Sequence, residues 1–476
     1  MSRPPNARCT VILLASTLLI LASDVSARAG GSLLRTPGSR QWVQRYNAPG
    51  DGIDEALAVG VSPDGSRVFV TGDSHQPNTN FSDSVTAAYD ASTGVRLWLQ
   101  RYNGPGKAMD DGLAVGVSPD GTAVFVTGSS DGSTSDDYVT LAYDAATGAP
   151  LWTKRYNGPA GGDDLANSLG VSPDGTTVFV TGWSFTSTTN ASDYVTVAYD
   201  TSTGDKVWVG RYNGPGNGYD HALALGVSPD GAAVFVTGSA PSANGDQDYA
   251  TAAFDAATGA PLWATRYDDP GHGDDIGHDV AVSPDSSVLY VTGASHGASG
   301  GKDYATVAYD AVTGAPRWVR RYTGTGGSDV ATSVDVSPDG SELFVTGGSV
   351  GSTSGTDYAT VAYDAATGTV AWTRRYNGPG NAFDRGAWVA VSPDTSDVFI
   401  TGRSVGATSG QDIATVGYDG STGATLWARR YNGPANSYDI GYALASSPDG
   451  SQLFVAGSSV GSTSSWDFVA LAYSLH

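Results

Sequence analysis

One block recurs eight times in this chain of 476 residues, and its last strand is moved to the front. The prolines of its Ser-Pro-Asp turn fall at Pro63, Pro119, Pro173, Pro229, Pro284, Pro338, Pro393 and Pro448, with spacings of 54 to 56 residues. Each block runs RYNGPG, an aspartate, a small apolar strand, SPDG, VFVTG, a Ser/Gly loop, DY-x-T-x-AYD-x-x-TG, and a strand carrying one tryptophan. A unit of this size cannot bury its own apolar face, so it must stack on copies of itself. Four short strands per block with no helical period between them predict a propeller blade. A parallel β-helix would need shorter rungs. The expected fold is therefore all-β: an eight-bladed β-propeller of four-stranded antiparallel blades.

The tryptophans Trp98, Trp152, Trp208, Trp263, Trp318, Trp372 and Trp427 serve seven blocks, and the eighth block ends before its own. The missing strand is present near the N-terminus, where Gly38 precedes Trp42 as Gly148 precedes Trp152. Residues 38–46 are thus expected to be the outer strand of blade eight, closing the ring and removing an exposed edge. The propeller would span 38–476, after a short linker at 30–37.

Residues 1–29 have the pattern of a secretory signal peptide. Arg3 and Arg8 precede an apolar stretch from Thr10 to Ala22, and small residues at Val25-Ser26-Ala27 offer a cleavage site. The expectation is export, to the outside or the cell envelope, with no transmembrane segment in the mature chain. The single cysteine, Cys9, lies in the part that would be removed. No disulfide, thiolate nucleophile or cysteine metal site is then available.

The net charge of −23 belongs to the repeat rather than to one patch. The blocks contribute 31 recurrent aspartates and eight recurrent arginines, a difference of 23, and the remaining charges cancel. Each aspartate falls at a turn or strand end, where it is expected to bond nearby backbone N–H groups. The arginine of each Arg-Tyr pair is expected to make an inter-blade salt bridge or stacking contact. No basic surface for nucleic acid is present.

The segment Ala142–Trp152, AYDAATGAPLW, resembles the tryptophan-docking motif A-x-D-x-x-T-G-x-x-x-W of the pyrroloquinoline quinone dehydrogenase-like propellers. Blocks one to six fit it, and block seven departs with Gly417 in place of the alanine. The resemblance implies the eight-bladed fold, since the motif is structural and carries no activity. The dehydrogenases of this group hold the quinone against a disulfide of adjacent cysteines, so their cofactor is not expected here. The superfamily also has non-enzymatic members, and VSPDG-x-x-VFVTG repeats are similar to those of exported bacterial surface and cell-wall propellers.

Two kinds of loop share each face of such a ring. The SPDG and DAATG turns have fixed length, whereas the loops from VFVTG to DY vary. The variable face is the expected binding face. Its candidates for ligand binding are Arg385, Trp388 and Tyr442, with Asn167 and Trp183 in other blades: aromatics converging with an arginine suit a sugar or a peptide. A second group is His272, Asp275, His278, Asp279 and His296, all in block five, where imidazole and carboxylate would suit a divalent metal. These readings give a monomeric, non-enzymatic binding or scaffold protein for an extracellular ligand, glycan or protein. The alternative is an exported oxidoreductase or hydrolase, quinone- or metal-dependent, with its site at the central opening.

Overall fold

A computed structural model describes residues 36–476 apart from 77–80, 107, 133–134, 187–190, 270 and 298–299. The expected signal peptide lies outside the described residues. Within them, 32 strands form eight four-stranded antiparallel sheets arranged as the blades of one ring. Blade two shows the plan: Ala114–Val117 is innermost, followed by Ala123–Asp131, Asp136–Asp144 and, outermost, Pro150–Tyr156. Among the described residues no helix is long and apolar enough to cross a membrane.

The ring closes as the displaced strand requires. Arg40–Tyr46 pairs antiparallel with Trp466–Ser474, from Arg40 opposite Tyr473 to Tyr46 opposite Phe468. Gly38 N–H donates to the Ser474 carbonyl at 2.7 Å. The first and last strands are thus joined by main-chain bonds within one sheet, which leaves the ring no free end to fray.

The tryptophans lock each blade to the next. Trp98 Nε1 donates to the Ala145 carbonyl at 3.1 Å, and Trp42 Nε1 donates to the Ala91 carbonyl at 2.8 Å. Each acceptor sits in the DAATG-type turn of the following blade. The indole also lies flat against that turn's glycine: a Cβ on Gly148 (φ 73°) would strike Trp98, and one on Gly94 would strike Trp42. Only glycine permits both this left-handed backbone and this approach. The DY tyrosines add ties farther in, as Tyr138 Oη donates to the Val195 carbonyl of blade three at 3.1 Å.

The recurrent arginine differs from the expectation in one respect. Its salt bridge lies within the blade: Arg155 reaches Asp137 at 2.8 Å. The inter-blade contact is a hydrogen bond to a tyrosine, as Arg101 donates to Tyr46 Oη of blade eight at 3.0 Å. The DY aspartates therefore serve an arginine rather than backbone. The SPD and AYD aspartates do bond local N–H groups, as Asp120 accepts from Thr122 N and Asp144 from Thr147 N.

Every inner strand but that of blade two carries a β-bulge at one position. The bulged residues are Leu57, Asn167, Leu223, His278, Thr332, Ala387 and Tyr442. A bulge sets two residues against one and re-aims a side chain. It also brings backbone close to the glycine of VFVTG: a Cβ on Gly182 would collide with the Leu165 carbonyl. The glycine and the bulge therefore go together.

Candidate ligand-binding site at the loop-rich face

The two faces of the ring differ as the loop lengths predict. Between the third and fourth strands the turn always has the same length, from Ala91–Val95 in blade one to 420–424 in blade seven. On the other face the connections range from 352–354 to 186–191. The exposed aromatic side chains Phe81, Tyr219 and Tyr438 all lie on this second face.

At the rim of the opening on this face, the start of each inner strand meets the end of the second at one register. The pairs there are Glu55 with Asp73, Leu165 with Trp183, His221 with Ser239, Ile276 with Ala294, Val330 with Gly348, Arg385 with Arg403, and Ile440 with Ser458. Asp111 occupies this position in blade two, bonded through its N–H to the Ser129 carbonyl. The core positions of the second, third and fourth strands largely repeat from blade to blade; these do not. Acids stand at blades one and two, aromatics at three and four, aliphatics at five, six and eight, and two arginines at seven.

At blades three and four four rings meet. Trp183 stacks on His221 with centroids 4.9 Å apart and an interplanar angle of 27°. Phe185 meets Trp183 edge-on at 5.6 Å, and Tyr219 closes the group against Phe185 at 6.3 Å and His221 at 6.1 Å. Tyr219 is 47% exposed. The Nε2 atom of His221 is buried without a hydrogen-bond partner, and burial pushes the imidazole down to about 4, so it stays neutral. A rigid aromatic surface with one open ring suits contact with a partner at small entropic cost.

Of the residues singled out from sequence, Trp183 and Arg385 stand in this register. Asn167 does not reach the mouth: it is buried at its bulge and donates to the Ala222 carbonyl of blade four at 2.7 Å. Tyr442, at the same bulge in blade eight, donates to Glu55 Oε1 at 3.0 Å. Trp388 lies deeper, 7% exposed, in an apolar cluster that joins Ala224 and Val280 of blades four and five to Leu444 of blade eight. Those blades are not neighbours, so the cluster spans the central opening, with Trp388 the largest of its inner-strand members.

The block-five group is not brought to one point: among the described residues, no three of His272, Asp275, His278, Asp279 and His296 converge. His272 is exposed and sits 3.1 Å from Asp268. His278 is half-buried at its bulge, with Nδ1 2.7 Å from the Ala331 carbonyl of blade six, and burial drives its pKa down to about 4. Asp279 accepts from Val280 N at 2.6 Å and from Val334 N of blade six at 2.8 Å; burial raises its pKa to about 7. His296 N donates to Asp275 at 2.8 Å. The carboxylates that do converge, within 4.8 Å of one another, are Asp248, Asp268 and Asp275. Asp248 is paired with Arg266, and Asp275 accepts from two backbone amides, Asp269 and His296.

Phe185, Tyr219 and His221 were not singled out from the sequence. The signal was present for Phe185 and His221, which depart from their columns when the eight blocks are aligned, whereas Tyr219 shares its column with Tyr438. It was hidden because His221 stands 38 residues after Trp183, in the next block.

A family model described as outer membrane protein assembly factor BamB matches residues 82–240 and 247–464. No curated protein matches the sequence. BamB from Moraxella catarrhalis is a similar solved structure, 16% identical with a TM-score of 0.51 over 92% of this chain and 99% of that one. Sqt1 from Chaetomium thermophilum, bound to the N-terminus of the ribosomal protein L10, is 14% identical with a TM-score of 0.60 over 89% and 98%. Quinohemoprotein alcohol dehydrogenase from Comamonas testosteroni is 13% identical with a TM-score of 0.56 over 92% and 76%. At such identities a structural likeness shows the fold alone. The family match covers most of the chain, which therefore belongs to the family of outer membrane protein assembly factor BamB, among the quinoprotein-like eight-bladed propellers.

Proposed function

We propose that this chain is an exported binding protein that holds a protein partner at the mouth of its loop-rich face. The observation that supports this most is the register described above. Positions that need only close the ring repeat from blade to blade, yet at the mouth the eight blades carry acids, aromatics, aliphatics and arginines. Variation confined to one face of a rigid scaffold is the usual mark of recognition. The Sqt1 structure, with the N-terminus of another protein bound, supports the choice of a polypeptide over a small molecule.

The test uses the full chain immobilised and challenged with an envelope fraction, with retained proteins quantified by mass spectrometry. The Trp183→Ala/Tyr219→Ala variant is expected to lose most of what the wild type retains. Leu151→Ser, a control on the outer strand of blade two, should retain it. Equal retention by all three would refute the reading.

A further inference from the structure

Blade seven holds an arrangement that the fold does not need. Arg385 and Arg403 stand directly opposite each other on adjacent strands. Like charges so placed destabilise a sheet. The recurrent arginines meet no such problem, since each has its own acid; in the same blade Arg430 pairs with Asp412 at 2.8 Å. Arg385 has none. It is half-buried, and the charged or titratable groups coupled to it are Arg403, the Tyr304 phenol and His278 of blade five, which burial keeps neutral. Tyr304 Oη is already committed to the Ala359 carbonyl. The adjacent Asp384 accepts from Gly378 N and Val405 N. Arg403 rests on the Phe383 ring, 4.8 Å from its centroid.

The neighbouring blade makes room for this pair. A Cβ on Gly348 would come within 3.1 Å of Arg385 Cγ, and among the mouth positions of the second strands only this one is glycine. Five N–H donors in a fixed fork, held among apolar and neutral groups, match a carboxylate. We infer that Arg385 and Arg403 form the seat for a carboxylate of a polypeptide ligand; the inference rests on the loop-face reading above and gives that site its chemistry. A polypeptide fits better than an acidic glycan because Glu55, Asp73 and Asp111 stand at the same register on blades one and two. A polypeptide can present both signs of charge across this mouth, and a uronate chain presents one.

Labelled hexaglutamate, measured by fluorescence anisotropy against the full chain at about 0.1 M salt, tests this. The wild type should bind it, hexaglutamine should not bind, and Arg385→Gln/Arg403→Gln should weaken hexaglutamate by about tenfold or more. Removing the repulsion should also raise the Tm of that variant, by about 1–2 °C, which shows that it is folded. Arg403→Gln alone should move both readouts part of the way. No binding by the wild type, or equal binding by the double variant, overturns the inference. The peptide Glu-Glu-Glu-Lys-Lys-Lys, which presents both signs of charge, should displace labelled hexaglutamate better than tri-galacturonate does, and a tri-galacturonate that competes as well as this peptide overturns the polypeptide assignment. If hexaglutamate fails while Trp183→Ala/Tyr219→Ala still strips retained partners, only the carboxylate seat is wrong. The loop-face reading falls when that variant keeps them.

Discussion

Asp279 and His278 are neighbours on one inner strand, and burial moves their pKa values in opposite directions, past each other, to about 7 and about 4. Their effects on stability are opposite. Asp110, Asp164, Asp220 and Asp335 are raised by burial to about 6, and Asp54, Asp384 and Asp439 are raised in the same direction. A raised carboxyl binds its proton in the folded state before the unfolded chain does, so stability rises as pH falls through the folded value toward about 4. The two depressed histidines, His221 and His278, take up protons first in the unfolded chain, so they lower stability as pH falls from about 6.5 to 4. The aspartates outnumber them. The SPD aspartates act the other way below about pH 4: hydrogen bonds from Ser62 and Ser66 hold Asp64 down at about 2, so the unfolded chain takes up its proton first and stability falls as pH drops from about 4 toward 2. The Tm should therefore be higher at pH 5 than at pH 7.5, and Asp279→Asn should shrink that difference. A Tm that falls steadily from pH 7.5 to 5 would show that the buried aspartates do not hold their protons.

At the scale of elements, the strand Arg40–Tyr46 does the work of closure. It is held by its ladder to Trp466–Ser474, by Trp42 docked on the Gly94 turn, and by Arg429, which donates to the Gly38 carbonyl at 2.8 Å. Trp42→Ala should cost about 3–5 kcal/mol, as for other buried aromatics. Deleting residues 36–46 should cost more, because the exposed edge of Trp466–Ser474 is added to the lost indole. Chemical denaturation of the three proteins checks this; a truncated chain with the midpoint of the full one would mean that the ring is closed some other way. This strand was legible because its partner motif is absent at the other end of the chain. Trp98, Arg155 and Gly148 were legible for a similar reason: eight copies report one structural need. The bulges were not. Asn167 and His278 stand out from their columns, yet only the extra residue in the strand turns them toward the next blade's carbonyls, and no local pattern in the sequence marks it. The placement of Trp388 was hidden for a related reason, since its position at an inner strand is visible but its depth along the opening is not.

Across the whole molecule, repetition and departure divide the chain into scaffold and site. The net charge of −23 is the sum of a framework that ties each blade to itself and to its neighbours. Against that background two arginines facing each other without an acid and four meeting rings stand out, and both lie on the face whose loops vary. The most direct measurement is site-specific photo-crosslinking in living cells, with a benzophenone side chain placed at Tyr219, at Tyr438 or, on the uniform face, at Ala146. Tyr219 and Tyr438 should give the same discrete protein adduct, lost with Arg385→Gln/Arg403→Gln, and Ala146 should give none. An adduct from Ala146 with none from Tyr219 or Tyr438 would contradict the account.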